Sequence, residues 1–157
     1  MVVIEMQDGR KMKFVLDEKN APITTANFIK LANEHFYDGL IFHRIIKNFM
    51  IQGGDPTGTG MGGSDENIIG EFTSNGINNQ RKHLRGTISM ARAADPNSAS
   101  SQFFICHVNT PHLDGGYAAF GEMVEGFDVL DDLASVPTDW SDRPRTPVVI
   151  KSVYVED

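Results

Sequence analysis

A chain of 157 residues with 40% apolar and 22% charged residues has a globular composition and enough length to bury a core. Its net charge of −7 disfavours nucleic acid or an anionic membrane as the main partner, since both select a basic footprint. One cysteine excludes an internal disulfide, no basic segment and long apolar run open the chain, and no stretch reaches transmembrane length, so the cytoplasm is expected, and a small acidic domain is expected to be a monomer.

Residues 2–7 and 11–16 read as strands around Asp8-Gly9, a hairpin turn signal. Pro22 suits a first helical turn. Phe28, Leu31, Ala32 and His35 or Phe36 then recur at helical spacing, which predicts an amphipathic helix over roughly 22–34. Strands follow near 40–46 and 49–53. Residues 54–80, rich in Gly and Asn, form an irregular excursion of a length that is often functional. Strands return near 87–91, 102–107 and 117–121, and Phe127, Leu130, Leu133 and Ala134 predict a short helix over roughly 126–134. Asp139 to Pro147 is a polar loop before a final strand over 148–155. Without repeats, low complexity or a linker, residues 1–157 read as one domain. Many short strands with two isolated helices suggest a closed antiparallel barrel with plugged ends, although alternation alone fixes neither the strand count nor the order.

Two segments carry the chemistry. The first runs from Phe42 to Asp55 and sets Arg44 among apolar, β-branched neighbours. A guanidinium is always charged and carries five donors, so it needs partners or a task. By alternation Phe42, Arg44 and Ile46 share one strand face, and Met50 and Gln52 share another. If the strands pair, a cation and an amide sit beside an aromatic and a thioether, the makeup of a ligand pocket. Taken alone, Arg44 reads more simply as an edge-strand residue paired with a surface carboxylate. The second segment, Thr87 to Ile105, joins two apolar strands through a loop of small and polar residues. Ala91 and Ala93 let backbone approach a ligand, and Gln102 offers both a donor and an acceptor beside Phe103 and Phe104.

Together these segments resemble the cyclophilins, the peptidyl-prolyl cis-trans isomerases. The resemblance is carried by Phe42-His43-Arg44, Phe49-Met50-Ile51-Gln52-Gly53-Gly54-Asp55, Met90-Ala91, Ser101-Gln102-Phe103-Phe104-Ile105, Leu113-Asp114-Gly115 and Phe120-Gly121, in family order over nearly the whole chain. Met90 to Asp95 is most similar to the compact bacterial branch. The resemblance implies a mainly β fold, a closed eight-stranded antiparallel β-barrel capped by two α-helices, with a groove on the outer face. It also implies an isomerase of X-Pro bonds that acts on proline-containing peptides and unfolded protein chains, assists folding, and needs no metal or cofactor.

Residue by residue, the resemblance makes Arg44 the donor to the prolyl nitrogen, and Phe49, Met50, Phe104 and Leu113 the cup for the ring. Gln52 holds Arg44 and touches substrate backbone. Ala91, the main chain of Arg92, and Gln102 grip the residues before proline, and Gly60 lines the neighbouring subsite. His112 stands where the best-known eukaryotic members have a tryptophan, and Tyr117 where they have a histidine; both fall at the rim of the cup. Losing the indole removes apolar area and an N–H donor, so weak binding of the cyclic peptide cyclosporin is expected.

Other signals point elsewhere with less force. Gly58 to Gly63 lacks the strand–loop–helix setting and the Gly-Lys-Ser/Thr ending of a phosphate loop. Cys106, His107 and His112 show no metal-ligand spacing, and neighbours on a strand diverge; Cys106 reads as a buried strand residue and His43 as a core or hydrogen-bonded residue facing away from Arg44, not a base. No Gly-x-Ser-x-Gly elbow supports hydrolysis. The serious rival is a proline-peptide binding module or chaperone with negligible turnover, which would need no cation at the amide nitrogen.

Overall fold

Alternation in the first two segments produces the expected hairpin, β1 (Val2–Met6) and β2 (Lys11–Leu16), paired antiparallel with Ile4 opposite Met12. The computed structural model describes residues 1–157. Helix α1 spans Pro22–Asn33 and buries Phe28, Leu31 and Ala32. Its first turn has no local side-chain cap; the Glu71 carboxylate accepts from the Ile23 and Thr24 amides and the Thr24 hydroxyl, so a distant residue satisfies the orphan donors. Strands β3 (Phe42–Ile46), β4 (Met50–Gly53), β5 (Thr87–Met90), β6 (Phe103–Cys106), β7 (Ala119–Glu125) and β8 (Ile150–Val155) follow, with α2 (Phe127–Ala134) after β7.

The eight strands form one antiparallel sheet in the order β3-β4-β6-β5-β7-β2-β1-β8. The sheet is a curled half-barrel, and the expectation of a closed barrel is corrected at its ends. β3 and β8 form no ladder; they meet through an Ile41–Val149 bridge and through bonds from the Phe42 amide to the Val148 carbonyl and from Ile150 to Leu40. The segments expected to be strand at 40–41 and 148–149 are this seam, which leaves too few regular partners for a ladder. β7 differs most from its expected span of 117–121. Gly121 does not end it: the residue lies against Val15, Leu16 and Ile88, and its strand continues because it must pair with β5 on one side and β2 on the other.

The main core fills the concave side, where Phe28 packs against Tyr37, Phe103 and Phe120 with ring centroids 5.1, 5.4 and 5.2 Å apart. A second, smaller apolar cluster of Met50, Phe104 and Cys106 is separate from it, with Phe49, Ala91, Leu113 and Tyr117 packed alongside. Adjacent Phe103 and Phe104 thus serve different clusters, as strand alternation requires.

Candidate active site

A β-bulge aims the central cation. Phe42 pairs with Gly53, but Arg44 pairs with Gln52, so His43 is one residue too many for the ladder. Phe42 therefore lies in the main core while Arg44 is exposed on the outer face. The expectation that Phe42 and Arg44 share a face is overturned by this bulge. So is the expectation that His43 faces away from Arg44, since the two line one depression. The hairpin turn is closed by Asn48 in the left-handed region at φ 64, a conformation that asparagine tolerates.

Pairing then sets a row across four strands. Arg44 is opposite Gln52, Gln52 opposite Phe104, and Phe104 opposite Ser89. The row borders a cavity of about 130 Å³ lined by Arg44, Phe49, Met50, Gln52, Ala91, Arg92, Phe104, Leu113 and Tyr117. A short 3₁₀ turn at Pro111–Leu113 brings Leu113 to this wall, an element that the sequence pattern did not announce. Gly60 and Gln102 line an adjoining depression together with Ala91 and Arg92. His112 lines neither; it is exposed and packs on Phe49 with centroids 5.6 Å apart.

A chain of hydrogen bonds with one polarity connects these parts. Arg44 Nη1 donates to Gln52 Oε1 at 3.3 Å, which leaves Gln52 Nε2 to donate to Gln102 Oε1 at 2.9 Å. Gln102 Nε2 donates in turn to the carbonyls of Gly60 and Gly62 at 3.1 and 2.8 Å. The Gln102 side chain, expected to grip substrate, is engaged instead in holding this loop. The loop is anchored from inside by Asp55, which accepts from the amides of Thr57, Thr59, Gly60 and Gly62 and from the Thr57 hydroxyl. Burial pushes the Asp55 carboxyl up, but the bonds from Gly62, Thr57 and Gly60 outweigh it and hold the group at about 2. Gly54, before it, has φ +92, and a Cβ there would stand 2.5 Å from the Ser101 carbonyl, so only glycine lets the two loops approach.

Two further residues support the cavity, and sequence reading missed what they do. Arg92, expected to act only through its main chain, is half-buried, and its guanidinium lies between the rings of Phe72 and Tyr117, 4.8 and 4.7 Å from their centroids. It donates to the Gly116 carbonyl at 2.7 Å and to Ala93 at 3.0 Å, tying the two loops that flank the cavity. His83 is fully buried and stacks on Phe104, with Nδ1 3.0 Å from Asp114 Oδ1 and Nε2 2.9 Å from Ser89 Oγ. Burial lowers its pKa, opposed by the Asp114 bond, so the ring is neutral, with the proton on Nδ1 toward the carboxylate. This Ser–His–Asp set stands outside the cavity wall and supports Phe104 from behind. An alternating apolar strand with a polar Ser89 at its centre was the one signal that could have revealed it.

The histidine and cysteine group diverges. Cys106 Sγ meets Thr110 Oγ1 at 3.5 Å, and burial pushes its thiol up to about 11. His107 accepts from the Asn48 amide and pairs with Asp131 at 3.0 Å.

A half-barrel with an apolar outer pocket, rimmed by a cation and an amide relay, defines a class of proteins with a site for one small apolar group. Comparison places the chain within that class. A model of the family described as cyclophilin type peptidyl-prolyl cis-trans isomerase/CLD matches residues 1–155. A peptidyl-prolyl cis-trans isomerase of Schizosaccharomyces pombe is 46% identical over 98% of this chain and 99% of its own length. A putative bifunctional phosphatase/peptidyl-prolyl cis-trans isomerase of Streptococcus pyogenes is 42% identical over 99% of this chain, which spans only 38% of that longer protein. A Cryptosporidium parvum cyclophilin type peptidyl-prolyl cis-trans isomerase, crystallised in the presence of the dipeptide Ala-Pro, superposes with a TM-score of 0.91 at 37% identity, covering 99% of this chain and 98% of that one. The chain belongs to the cyclophilin-type peptidyl-prolyl cis-trans isomerase family, and its reaction is the cis-trans isomerisation of X-Pro bonds.

Proposed function

We propose that the cavity seats the proline ring of a peptide or unfolded chain and that Arg44 drives rotation about the preceding amide. That bond resists rotation by ~18–20 kcal/mol because the nitrogen lone pair is delocalised into the carbonyl. No covalent bond breaks, so the catalyst needs only to bind the twisted amide better than either planar form. Twisting localises the lone pair on a pyramidal nitrogen, which then accepts a hydrogen bond that the planar form accepts poorly. A guanidinium held beside the ring supplies that donor at any physiological pH. An acceleration of about five decades needs ~7 kcal/mol of differential binding. One well-aimed donor supplies ~3–4 kcal/mol of it, and desolvation and fixation of the chain supply the remainder.

The observation that carries this reading is the state of Arg44. It is exposed at the rim of an apolar cavity and makes one side-chain hydrogen bond, to Gln52, and no ion pair, so its remaining donors are unengaged at that rim. Phe49, Met50, Phe104 and Leu113 hold the ring, with Tyr117 closing one side. Ala91 and the main chain of Arg92 face the residues before proline, where the Gly60–Gln102 depression adjoins the cup. In the cell this reading makes the protein a monomeric folding helper in the cytoplasm, acting without a cofactor. The test is exchange spectroscopy on a short X-Pro peptide with wild type and Arg44→Ala. Loss of exchange with peptide binding retained supports the donor role; full exchange in the variant refutes it.

A further inference from the structure

The strand that carries Phe104 at the floor of the cup runs directly into His107, which is 7% exposed and stands outside the cup wall. Its amide donates to the Phe49 carbonyl at 2.9 Å, and its Nδ1 accepts from the Asn48 amide at 2.9 Å. The β3–β4 turn closes on a bond of its own, from the Phe49 amide to the Ile46 carbonyl. That bond leaves the Asn48 amide without a partner inside the hairpin, and His107 supplies one from the neighbouring strand.

A ring nitrogen that accepts from an amide carries no proton, so the proton of this imidazole is on Nε2. There it faces Asp131 Oδ1 of α2 at 3.0 Å. Asp131 is fixed in turn by Arg85, whose Nη1 and Nη2 donate to its two oxygens at 2.7 and 3.0 Å. Arg85 Nη1 also donates to the His107 carbonyl at 3.1 Å, and the guanidinium lies 5.2 Å from the Phe127 ring centroid. The Arg85 bond, joined by that of His107 and opposed by burial, holds the Asp131 carboxyl below its ordinary value, so it remains an acceptor for the Nε2 proton.

We infer that His107 is a positioning residue for the proline cup: Asp131 sets its tautomer, and the free Nδ1 lone pair pins the β3–β4 turn and with it Phe49 at the cup wall. This rests on the cup being the seat of proline. The turn is where that wall would otherwise give, since Asn48 is exposed and left-handed at φ 64, and Phe49 is half-buried against an exposed His112. One strand end thus holds two sides of the cup, Phe104 directly and Phe49 through the ring and main chain of His107. Arg44 and Gln52 bond to none of these groups, so the clamp acts on where the proline ring sits and not on the donor.

The experiment measures kcat and KM for one X-Pro peptide, and its Kd by titration, in wild type and variants of the clamp. In His107→Asn the new amide oxygen stands where Nδ1 stood and keeps an acceptor for Asn48. In His107→Gln the amide reaches only the place of Nε2, and His107→Leu offers neither group. The Leu and Gln substitutions should raise KM and Kd by about fivefold, the usual worth of one hydrogen bond, with kcat changed by less than about twofold. His107→Asn should stay within about twofold of wild type in all three quantities. KM should therefore follow the acceptor beside Asn48, whereas a merely structural role would make it follow the melting temperature. Asp131→Asn, at an exposed position, releases the ring from α2 and should raise KM by about twofold. The clamp is overturned if His107→Asn binds as weakly as His107→Leu, or if His107→Leu and Asp131→Asn both bind like wild type. A wild type that binds the peptide without exchanging it refutes the isomerase reading alone, since the Kd series still tests the clamp.

Discussion

The imidazole of His83 lies parallel to the Phe104 ring, with centroids 5.9 Å apart and an interplanar angle of 12°. The floor of the cup is therefore backed by a buried polar residue whose two ring nitrogens are both engaged. Replacing it by alanine removes the stack and leaves Ser89 without its partner. His83→Ala is expected to destabilise the fold by about 2–4 kcal/mol in urea unfolding. It should also raise KM more than it lowers kcat, because the cup loosens while Arg44 stays in place.

The same residue gives stability a pH dependence. Its folded pKa is lowered by burial against an unfolded value of about 6.5, so the unfolded chain binds the proton first. The contribution is complete above about pH 6.5 and is lost as the pH falls below it. His43 shifts in the same direction, so the measurement is a difference. The fall in melting temperature between pH 7 and 5 should be smaller in His83→Gln than in wild type; an equal fall in both contradicts the assignment.

Arg44→Ala should cut kcat/KM by about 10²–10³-fold, the usual effect of removing one preorganised donor. Because the side chain is exposed, stability should change by less than about 0.5 kcal/mol. Gln52→Leu breaks the relay at its second link and should lower kcat/KM by about tenfold, an effect smaller than loss of the cation itself.

Asp55 makes the second acid-sensitive element. Its folded value of about 2 lies below that of a free carboxyl, so its stabilisation is present above about pH 4 and is lost as the pH falls toward 2. The shift corresponds to about 2 kcal/mol. Asp55→Ala should cost that or more at neutral pH and expose the chain near Gly60 to proteolysis, read as faster cleavage by a broad-specificity protease.

Cyclosporin should bind weakly. Tyr117 reaches the cavity but His112, at the indole's position, does not, so the apolar area and N–H of the indole are not replaced at that position. A titration giving inhibition as tight as in tryptophan-bearing family members would contradict this.

Much of the site was legible before the fold because it lies on strands. Met50, Gln52 and Phe104 alternate with core residues, and period-two reading separated Phe103 from Phe104 correctly. What stayed hidden depends on contacts far apart in sequence. Glu71 capping α1, Asp55 gathering a loop, and Arg92 lodged between Phe72 and Tyr117 leave no local periodicity to read. The seam between β3 and β8 was equally invisible, since pattern reports which face a residue takes but not whether two sheet edges meet. The facing of Phe42 and Arg44 was misread because one bulge cancels the parity on which alternation relies.

In pairing terms His43 is surplus: without it the hairpin would run as a regular ladder, with Phe42 still inward and Arg44 still outward. The imidazole in the wall of the depression beside Arg44 is thus carried by the bulge residue itself. A lineage could gain or discard it without re-aiming the guanidinium, whereas losing a residue inside β4 slips the register and reverses what looks outward. Deletion of His43 should accordingly leave measurable isomerase activity, and deletion of Ile51 should leave none.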